Sequence, residues 1–407
     1  MPTTSPSTEV TGWLSRNAVR LTGLEPGTDL TDLKGLTDVL GGARIVGLGE
    51  STHGTAEFFR LKHRLVEYLV TEHGCTVFAM EASASAAADV DAYIRYGTGD
   101  AAEVLAGLGF WTWRTAEVLA LFEWLRAHNR DLPEHRRVRF AGIDPQRCDR
   151  SIAALEGFLS GPGDPLRVLG TADPGSRPDP ERRLFHQAGE LLDRVTRADG
   201  GPEALRHARI LVRAADLVTR PRVAPDPADT VFAARDRYMA DAVAEILDAD
   251  PAATIALWAH NGHLARTRYG GGIAALGSHL AERHGDDYYA LGLLFGSGRF
   301  RARRMWPWPS WPGAVATNGL GPAPGGTVEA TLGKAVPGPH LVDLRAAAAV
   351  PAVRDWLAAP HMTRTHGAVV RRRLYRLSMA PVKPAEEFDG LAYVPVSTPS
   401  VPLPARE

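Results

Sequence analysis

Residues 43–54 read ARIVGLGESTHG, and this stretch is the strongest indication of the fold. Apart from Arg44, its first six residues are apolar, and Ile45 and Val46 are β-branched, which is typical of a short buried strand. The polar turn 49–54 follows, and a helix is predicted over roughly 56–72, with apolar residues at helical spacing: Phe58, Leu61, Leu65 and Leu69. A buried strand that turns directly into an amphipathic helix is a building unit of α/β proteins.

Further along the chain, three more apolar runs predict buried strands, and each ends at an ionisable residue. Residues 76–80 lead to Glu81, residues 138–143 lead to Asp144, and residues 254–259 lead to His260. Helical stretches lie between the runs at 76–80 and 138–143, and another strand is predicted over 288–295. This alternation predicts an α/β fold with a mainly parallel central sheet flanked by helices.

The composition along the chain divides it into four parts. Residues 1–40 are predicted as an N-terminal helical segment that leads into the core, and residues 41–160 as the first part of the α/β catalytic core. Residues 161–250 contain three helical patterns and no strand pattern, which predicts a helical insertion or lid. Residues 251–400 are predicted as the second part of the core, with a Trp/Pro-rich loop over 305–326.

Charge and cysteine content exclude several classes of protein. The 407 residues carry 46 basic and 47 acidic side chains, a net charge of −1, so no overall field attracts nucleic acid or an anionic membrane. Cys75 and Cys148 are the only cysteines, which excludes a thiolate zinc site and a disulfide framework. There is no apolar run of 18 residues, and residues 1–10 lack the core of a signal peptide. A cytoplasmic location is expected.

The ionisable residues at the strand ends predict one shared site. Glu50 and His53 follow the first strand, Glu81 and Asp144 follow the next two, and His260 with His263 follows the fourth. In open parallel sheets, ligands bind outside the carboxyl ends of the strands. If the four strands are neighbours, these groups therefore converge.

Several blocks resemble the erythromycin esterase family. They are GESTHG at 49–54, FFRLKHRL at 58–65, FAMEAS at 78–83, GFWTW at 109–113, EVLALFEWLRAHN at 117–129, FAGID at 140–144 and WAHNGHLAR at 258–266. They run in the family's order from about Arg44 to Phe300. The resemblance implies a hydrolase that opens an ester or macrolide lactone by means of a histidine-activated water.

The resemblance also implies roles for individual residues. It places the general base on His53, the supporting carboxylates on Glu50 and Glu81, and the paired histidines on His260 and His263. Lys62 occupies the position of a basic residue that is arginine in some members, and lysine lacks the planar fork that binds a carboxylate with two hydrogen bonds. The residues expected at the substrate are Trp111, Trp113, Arg114 and Asp144, the last alternatively holding a histidine or arginine.

Simple chemistry supports this arrangement. An unperturbed imidazole titrates near pH 6.5, so a neutral histidine can accept a proton from water at working pH. Glu50 or Glu81 can accept its second N–H, and His260, His263 or Lys62 can donate to the developing oxyanion. No G-x-S-x-G motif is present, which argues against a serine nucleophile.

Three alternatives remain open at this point. A biosynthetic tailoring enzyme, acting as a cyclase, dehydratase or hydrolase, could use the same site on a different carbonyl of a natural product instead of serving macrolide resistance. A metal-dependent hydrolase could use the nitrogen and oxygen ligands of the site, although no cofactor is expected. A non-catalytic ligand-binding protein on the same scaffold is the third alternative.

Overall fold

A computed structural model describes residues 7–269, 272–305, 312–372 and 374–404. The helices of this part of the chain are α1 Thr8–Asn17, α2 Leu36–Leu40, α3 Ala56–Thr71, α4 Ala87–Tyr96, α5 Ala101–Gly107, α6 Ala116–Asn129, α7 Asp149–Ala154, α8 Arg183–Arg197, α9 Gly201–Thr219, α10 Val231–Ala249, α11 Asn261–Leu264, α12 Leu276–His284, α13 Val328–Ala335, α14 Pro351–Ala358 and α15 Pro384–Glu387. No helix among the described residues has both the length and the apolar character needed to cross a membrane.

The strands are β1 Ala18–Arg20, β2 Ile45–Leu48, β3 Val77–Ser83, β4 Arg139–Asp144, β5 Ile255–Trp258, β6 Arg268–Tyr269, β7 Ile273–Ala274, β8 Tyr288–Met305, β9 Pro312–Leu320, β10 His340–Asp343, β11 His361–Arg364, β12 Val369–Arg371, β13 Met379–Val382 and β14 Gly390–Ser397. Within the described ranges, ten of them form one sheet in the order β1-β10-β14-β8-β2-β5-β3-β4, with β9 and β12 also paired to β8. The pairs from β14 across to β4 are all parallel.

The predicted α/β class with a mainly parallel sheet is confirmed. The strands are buried on both faces because their side chains alternate between two apolar clusters. Val46 and Phe78 pack with α3, α4 and α6 on one face, whereas Ile45 and Val77 pack with α1, α10 and α12 on the other. Helices therefore cover both sides of the sheet.

The predicted helical insertion is divided in the structure. Residues 161–250 contain helical elements and turns but no strand. Helices α8 and α9 form a separate apolar cluster with α7. Helix α10, by contrast, packs on the sheet through Met239, Ala240 and Val243. The last helix of the predicted insertion is thus part of the core.

Two local predictions are wrong. The loop predicted over 305–326 contains strand β9, which pairs antiparallel with β8 from Gly298↔Leu320 to Met305↔Pro312; residues 306–311 lie outside the described part of the chain. The N-terminal segment is not only helical, because β1 pairs with β10 at the edge of the sheet. Strand β9 was not predicted because its glycine and proline residues weaken the strand pattern, and β1 was not predicted because it has only three residues.

Candidate active site

The 49–54 loop is held tightly between its neighbours. Gly49 donates its N–H to the carbonyl of Leu291 over 2.8 Å, and the N–H of Asn261 donates to the carbonyl of Glu50 over 2.9 Å. A Cβ atom on Gly49 would lie 2.1 Å from Asn261 Oδ1, and one on Gly54 would lie 2.0 Å from the carbonyl oxygen of Arg301. Only glycine permits such close approach of backbone, so these two positions fix the path of the loop.

Glu50 lies between a histidine and a lysine. Its Oε1 is 2.6 Å from His53 Nδ1, and its Oε2 accepts a hydrogen bond of 2.7 Å from Lys62 Nζ on α3. Both Glu50 and Lys62 are fully buried, and Lys62 Nζ lies 4.3 Å from the ring centroid of Trp258. Burial lowers the pKa of Lys62 to about 8, although Glu50 opposes the shift. The carboxylate therefore links a cation and an imidazole inside the protein.

His53 retains access to solvent while its ring is held on two sides. Its side chain is 11% exposed. The ring meets Trp113 edge-on at 5.8 Å between centroids, and it lies 5.0 Å from the ring of His260. Since Nδ1 donates to Glu50, the other nitrogen, Nε2, carries the lone pair. This is the orientation that a general base requires.

His260 presents an N–H without a partner. Its Nδ1 accepts a hydrogen bond of 3.1 Å from the backbone N–H of Gly262, so the ring proton resides on Nε2. That Nε2 is buried and has no hydrogen-bond partner in the described part of the chain. Burial, followed by the neighbouring His53, holds the pKa of His260 well below its ordinary value, so the ring stays neutral. A neutral N–H donor therefore lies beside His53.

Behind these two rings, Arg235 joins two carboxylates. Its Nη2 donates to Glu81 Oε1 and to Asp144 Oδ2, each over 2.7 Å, and Glu81 Oε2 accepts the backbone N–H of His260 over 3.0 Å. Although burial opposes ionisation, the charges of His263 and Arg235 hold the pKa of Glu81 well below its ordinary value. The network thus anchors His260 through its backbone.

His263 makes contacts that suit two protonation states. Its Nδ1 lies 2.8 Å from Asp236 Oδ1, and its Nε2 lies 3.3 Å from Glu81 Oε1 and 2.9 Å from Arg235 Nη1. The contact with Arg235 needs Nε2 as an acceptor. Burial opposes protonation, yet Asp236 and Glu81 raise the pKa of His263 to about 10. We assign the doubly protonated, cationic form to His263, because a carboxylate faces each of its ring nitrogens.

The structure brings most of the predicted site residues together. Glu50, His53 and Lys62 form one cluster, and Glu81, Asp144, His260 and His263 form the adjoining one. Trp113 also reaches the site, because it contacts His53 and donates its Nε1–H to the carbonyl of Glu81 over 3.2 Å.

Two residues expected at the substrate have other contacts. The Trp111 ring lies 5.3 Å from the guanidinium of Arg301, and Arg114 donates to the carbonyl of Pro404 over 2.9 Å. Neither contacts His53 or His260 through a hydrogen bond or ring contact in the described structure. Their contacts therefore connect the 111–114 turn to the C-terminal part of the chain.

Arg235 and Asp236 were not predicted, since both lie in the expected insertion. Their position on α10 nevertheless carried a signal. The apolar positions of this helix recur as Val231, Met239 and Val243, and Arg235 occupies the same stripe at i+4 from the first of them. A charged side chain within a core-facing stripe indicates a buried partner.

The nitrogen and oxygen groups do not form a metal-binding cluster. Across the described ranges, no group of three histidine, cysteine, aspartate or glutamate side chains is placed to hold a metal ion. The carboxylates instead face Lys62, Arg235 and the histidines.

Comparison with known proteins agrees with the resemblance. The family model described as erythromycin esterase matches residues 70–397. Erythromycin esterase type II from Escherichia coli is 25% identical over 318 residues, which are 68% of this chain and 75% of that protein.

Two solved structures share the fold. A Bacillus cereus protein gives a TM-score of 0.80 at 23% identity, covering 97% of this chain and 99% of its own. A mutant of the erythromycin esterase EreC in its open conformation gives a TM-score of 0.66 at 22% identity, covering 94% and 98%. Since the family model spans more than half of the chain, the protein belongs to the erythromycin esterase family, a family of hydrolases.

Proposed function

We propose that this protein hydrolyses an ester or lactone in a bulky natural-product substrate, with His53 as the general base. The observation that carries the proposal is the buried contact between Glu50 and His53 Nδ1 at 2.6 Å. It directs the lone pair of Nε2 towards the accessible side of the ring, where a water molecule can be deprotonated. The similarity to erythromycin esterase type II of Escherichia coli supports this substrate class, because erythromycin is a macrolide lactone.

The proposed reaction moves one proton through His53. Nε2 takes a proton from water as the oxygen attacks the carbonyl carbon, and Glu50 stabilises the imidazolium that forms. The carbonyl π electrons pass to oxygen, which the Nε2–H of His260 stabilises as an oxyanion. When the intermediate collapses, the C–O bond to the leaving alkoxide breaks and His53 returns the proton. Ester and water thereby give acid and alcohol.

In this scheme Lys62 and Arg235 act through other residues. Lys62 compensates the charge of Glu50, and its own hydrogen bond of 2.7 Å fixes the carboxylate that orients His53. Arg235 holds Glu81, which in turn accepts the backbone N–H of His260. We therefore propose both as positioning residues, and the reaction as independent of a metal.

The test is mass spectrometry of erythromycin and a panel of other macrolides and lactones after incubation with the wild type, His53→Ala and His186→Ala. His186 is exposed on α8 and serves as the matched control. We expect a gain of one water with the wild type and His186→Ala, unaffected by chelators, and none with His53→Ala. A reaction that survives in His53→Ala would overturn the assignment of the base. No gain across the panel would overturn hydrolysis of this substrate class.

A further inference from the structure

A groove with a volume of about 480 Å³ lies along β4, away from the catalytic side chains. Strand β4 is at the end of the sheet order, so its outer edge faces the groove instead of another strand. Helix α4 forms one wall, and helices α9 and α10 form the other. This volume falls within the range of sites that bind drug-sized ligands, about 300–1,000 Å³.

The groove is strongly basic for a protein whose net charge is −1. Five arginines line it against two acidic residues, Asp91 and Glu245; the arginines are Arg95, Arg139, Arg206, Arg209 and Arg213. Arg95 pairs with Asp91 and Arg213 pairs with Glu245, so the acidic lining residues are already engaged. Arg139 pairs with Asp250, so Arg206 and Arg209 are the two arginines of the groove without an ion pair among the described residues.

Arg206 is the residue of the groove best placed to bind an anion. It is half-buried, and its guanidinium donates to the carbonyl of Ala84 over 3.3 Å and to His207 Nε2 over 2.9 Å. No carboxylate of the described residues lies within ion-pair distance of it. Burial lowers the pKa of Arg206, and burial together with Arg206 lowers the pKa of His207 to about 4. Glu203 and Asp89 offset the effect of burial only in part, and a half-buried cation without an ion-pair partner costs free energy, which a bound anion would recover.

The other surfaces of the groove decide what kind of anion fits. Small apolar side chains provide room beside the arginines: Ala87, Ala88, Ala141, Ala242 and Ala249. An added peptide strand is disfavoured, because the N–H of Phe140 on the edge of β4 already donates to Asp91 Oδ1 over 2.8 Å. We propose that this groove binds a small amphipathic anion, whose carboxylate or phosphate pairs with Arg206 and whose apolar body lies on the alanines.

The proposal can be tested by isothermal titration calorimetry of the full-length protein with decanoate, octyl phosphate, decanol and decylamine. We expect the anions to bind at least ten times more tightly than decanol or decylamine. Arg206→Gln should weaken anion binding about tenfold, because it removes a charge-assisted hydrogen bond. Arg209→Gln, at an exposed position, should weaken binding less, for the same reason. Ala242→Trp, which fills the groove, should abolish binding. The comparison of decanoate with octyl phosphate identifies the preferred anion.

Two controls keep this site separate from the catalytic one. His53→Ala should bind the anions like the wild type, and Arg197→Gln, on the exposed side of α8, should have no effect. Equal binding by Arg206→Gln and the wild type would overturn the proposal. So would loss of binding in His53→Ala, because the anions would then occupy the catalytic site. Thermal unfolding of each variant establishes that it is folded.

Discussion

Replacing Glu50 with glutamine tests the central contact of the site. The substitution keeps the shape of the side chain but removes a charge that is fully buried. Lys62 Nζ, 2.7 Å away and also fully buried, would lose its counter-ion. The amide oxygen of the glutamine can still accept the Nδ1–H of His53, but a neutral amide stabilises an imidazolium far less than a carboxylate does.

The expected effects are large and fall on two different quantities. Breaking a buried ion pair by removing one partner costs about 3–5 kcal/mol of the free energy of unfolding. Burial already lowers the pKa of Lys62 to about 8, and Glu50 is the main influence that raises it. Without the charge of Glu50, Lys62 should therefore lose its proton at a lower pH. Replacing the orienting carboxylate of a serine protease triad with an amide lowers kcat by about 10⁴, and we expect a loss of similar size here.

The assay combines urea unfolding with hydrolysis rates for Glu50→Gln, Lys62→Met and the double variant. The double variant removes both charges, so it should recover most of the stability lost in Glu50→Gln and none of the activity. Glu67→Gln is the matched control, because Glu67 is another buried carboxylate, which accepts the backbone N–H of Gly27 over 3.0 Å. A double variant no more stable than Glu50→Gln would refute the argument from the buried pair.

Four further predictions concern Lys62, His260 and Arg235. Lys62 should lose its proton near pH 8, so kcat/KM of the wild type should fall above that pH, and Lys62→Arg should lack this alkaline limb; a limb that persists in the arginine variant contradicts the assignment. Between pH 8 and 10.5 the unfolded chain holds more protons at Lys62 than the folded one, so urea unfolding should show the wild type gaining stability with pH relative to Lys62→Met. His260→Ala should lower kcat by about 10²–10³ at similar KM in steady-state assays, and an unchanged kcat would exclude it as an oxyanion donor. Arg235→Gln leaves Glu81 and Asp144 without their shared cation and should reduce the free energy of unfolding by about 3–5 kcal/mol; a loss below 1 kcal/mol would contradict the buried network.

The strand ends could be predicted because local pattern and fold rule agree there. Each of Glu50, Glu81, Asp144 and His260 follows a short apolar run, and parallel pairing brings such positions to one edge of the sheet. The observed registers Met80↔Trp258 and Ser83↔Asp144 are consistent with that expectation. No tertiary information was needed for this part of the site.

The rest depends on contacts between distant parts of the chain. Arg235 lies in the stretch predicted as an insertion, and only the packing of α10 on the sheet places its guanidinium between two carboxylates. The hydrogen-bonded strand β9 was hidden because Gly313 and Gly319 weaken its strand pattern. Similarly, the N–H of His366 donates to the carbonyl of Ser51 over 2.8 Å, and no local pattern indicates a contact across so long a separation.

The position of Arg235 also has a consequence for how the molecule matures during synthesis. Its partners Glu81 and Asp144 precede it by 154 and 91 residues. A growing chain that has not yet reached α10 already contains β3 and β4, whose pairing brings these two carboxylates together without a guanidinium between them. We therefore expect this edge of the sheet to settle only when α10 docks. Strand β5, which lies between β2 and β3, and His260 follow α10 in the chain, so the catalytic site is completed after that step.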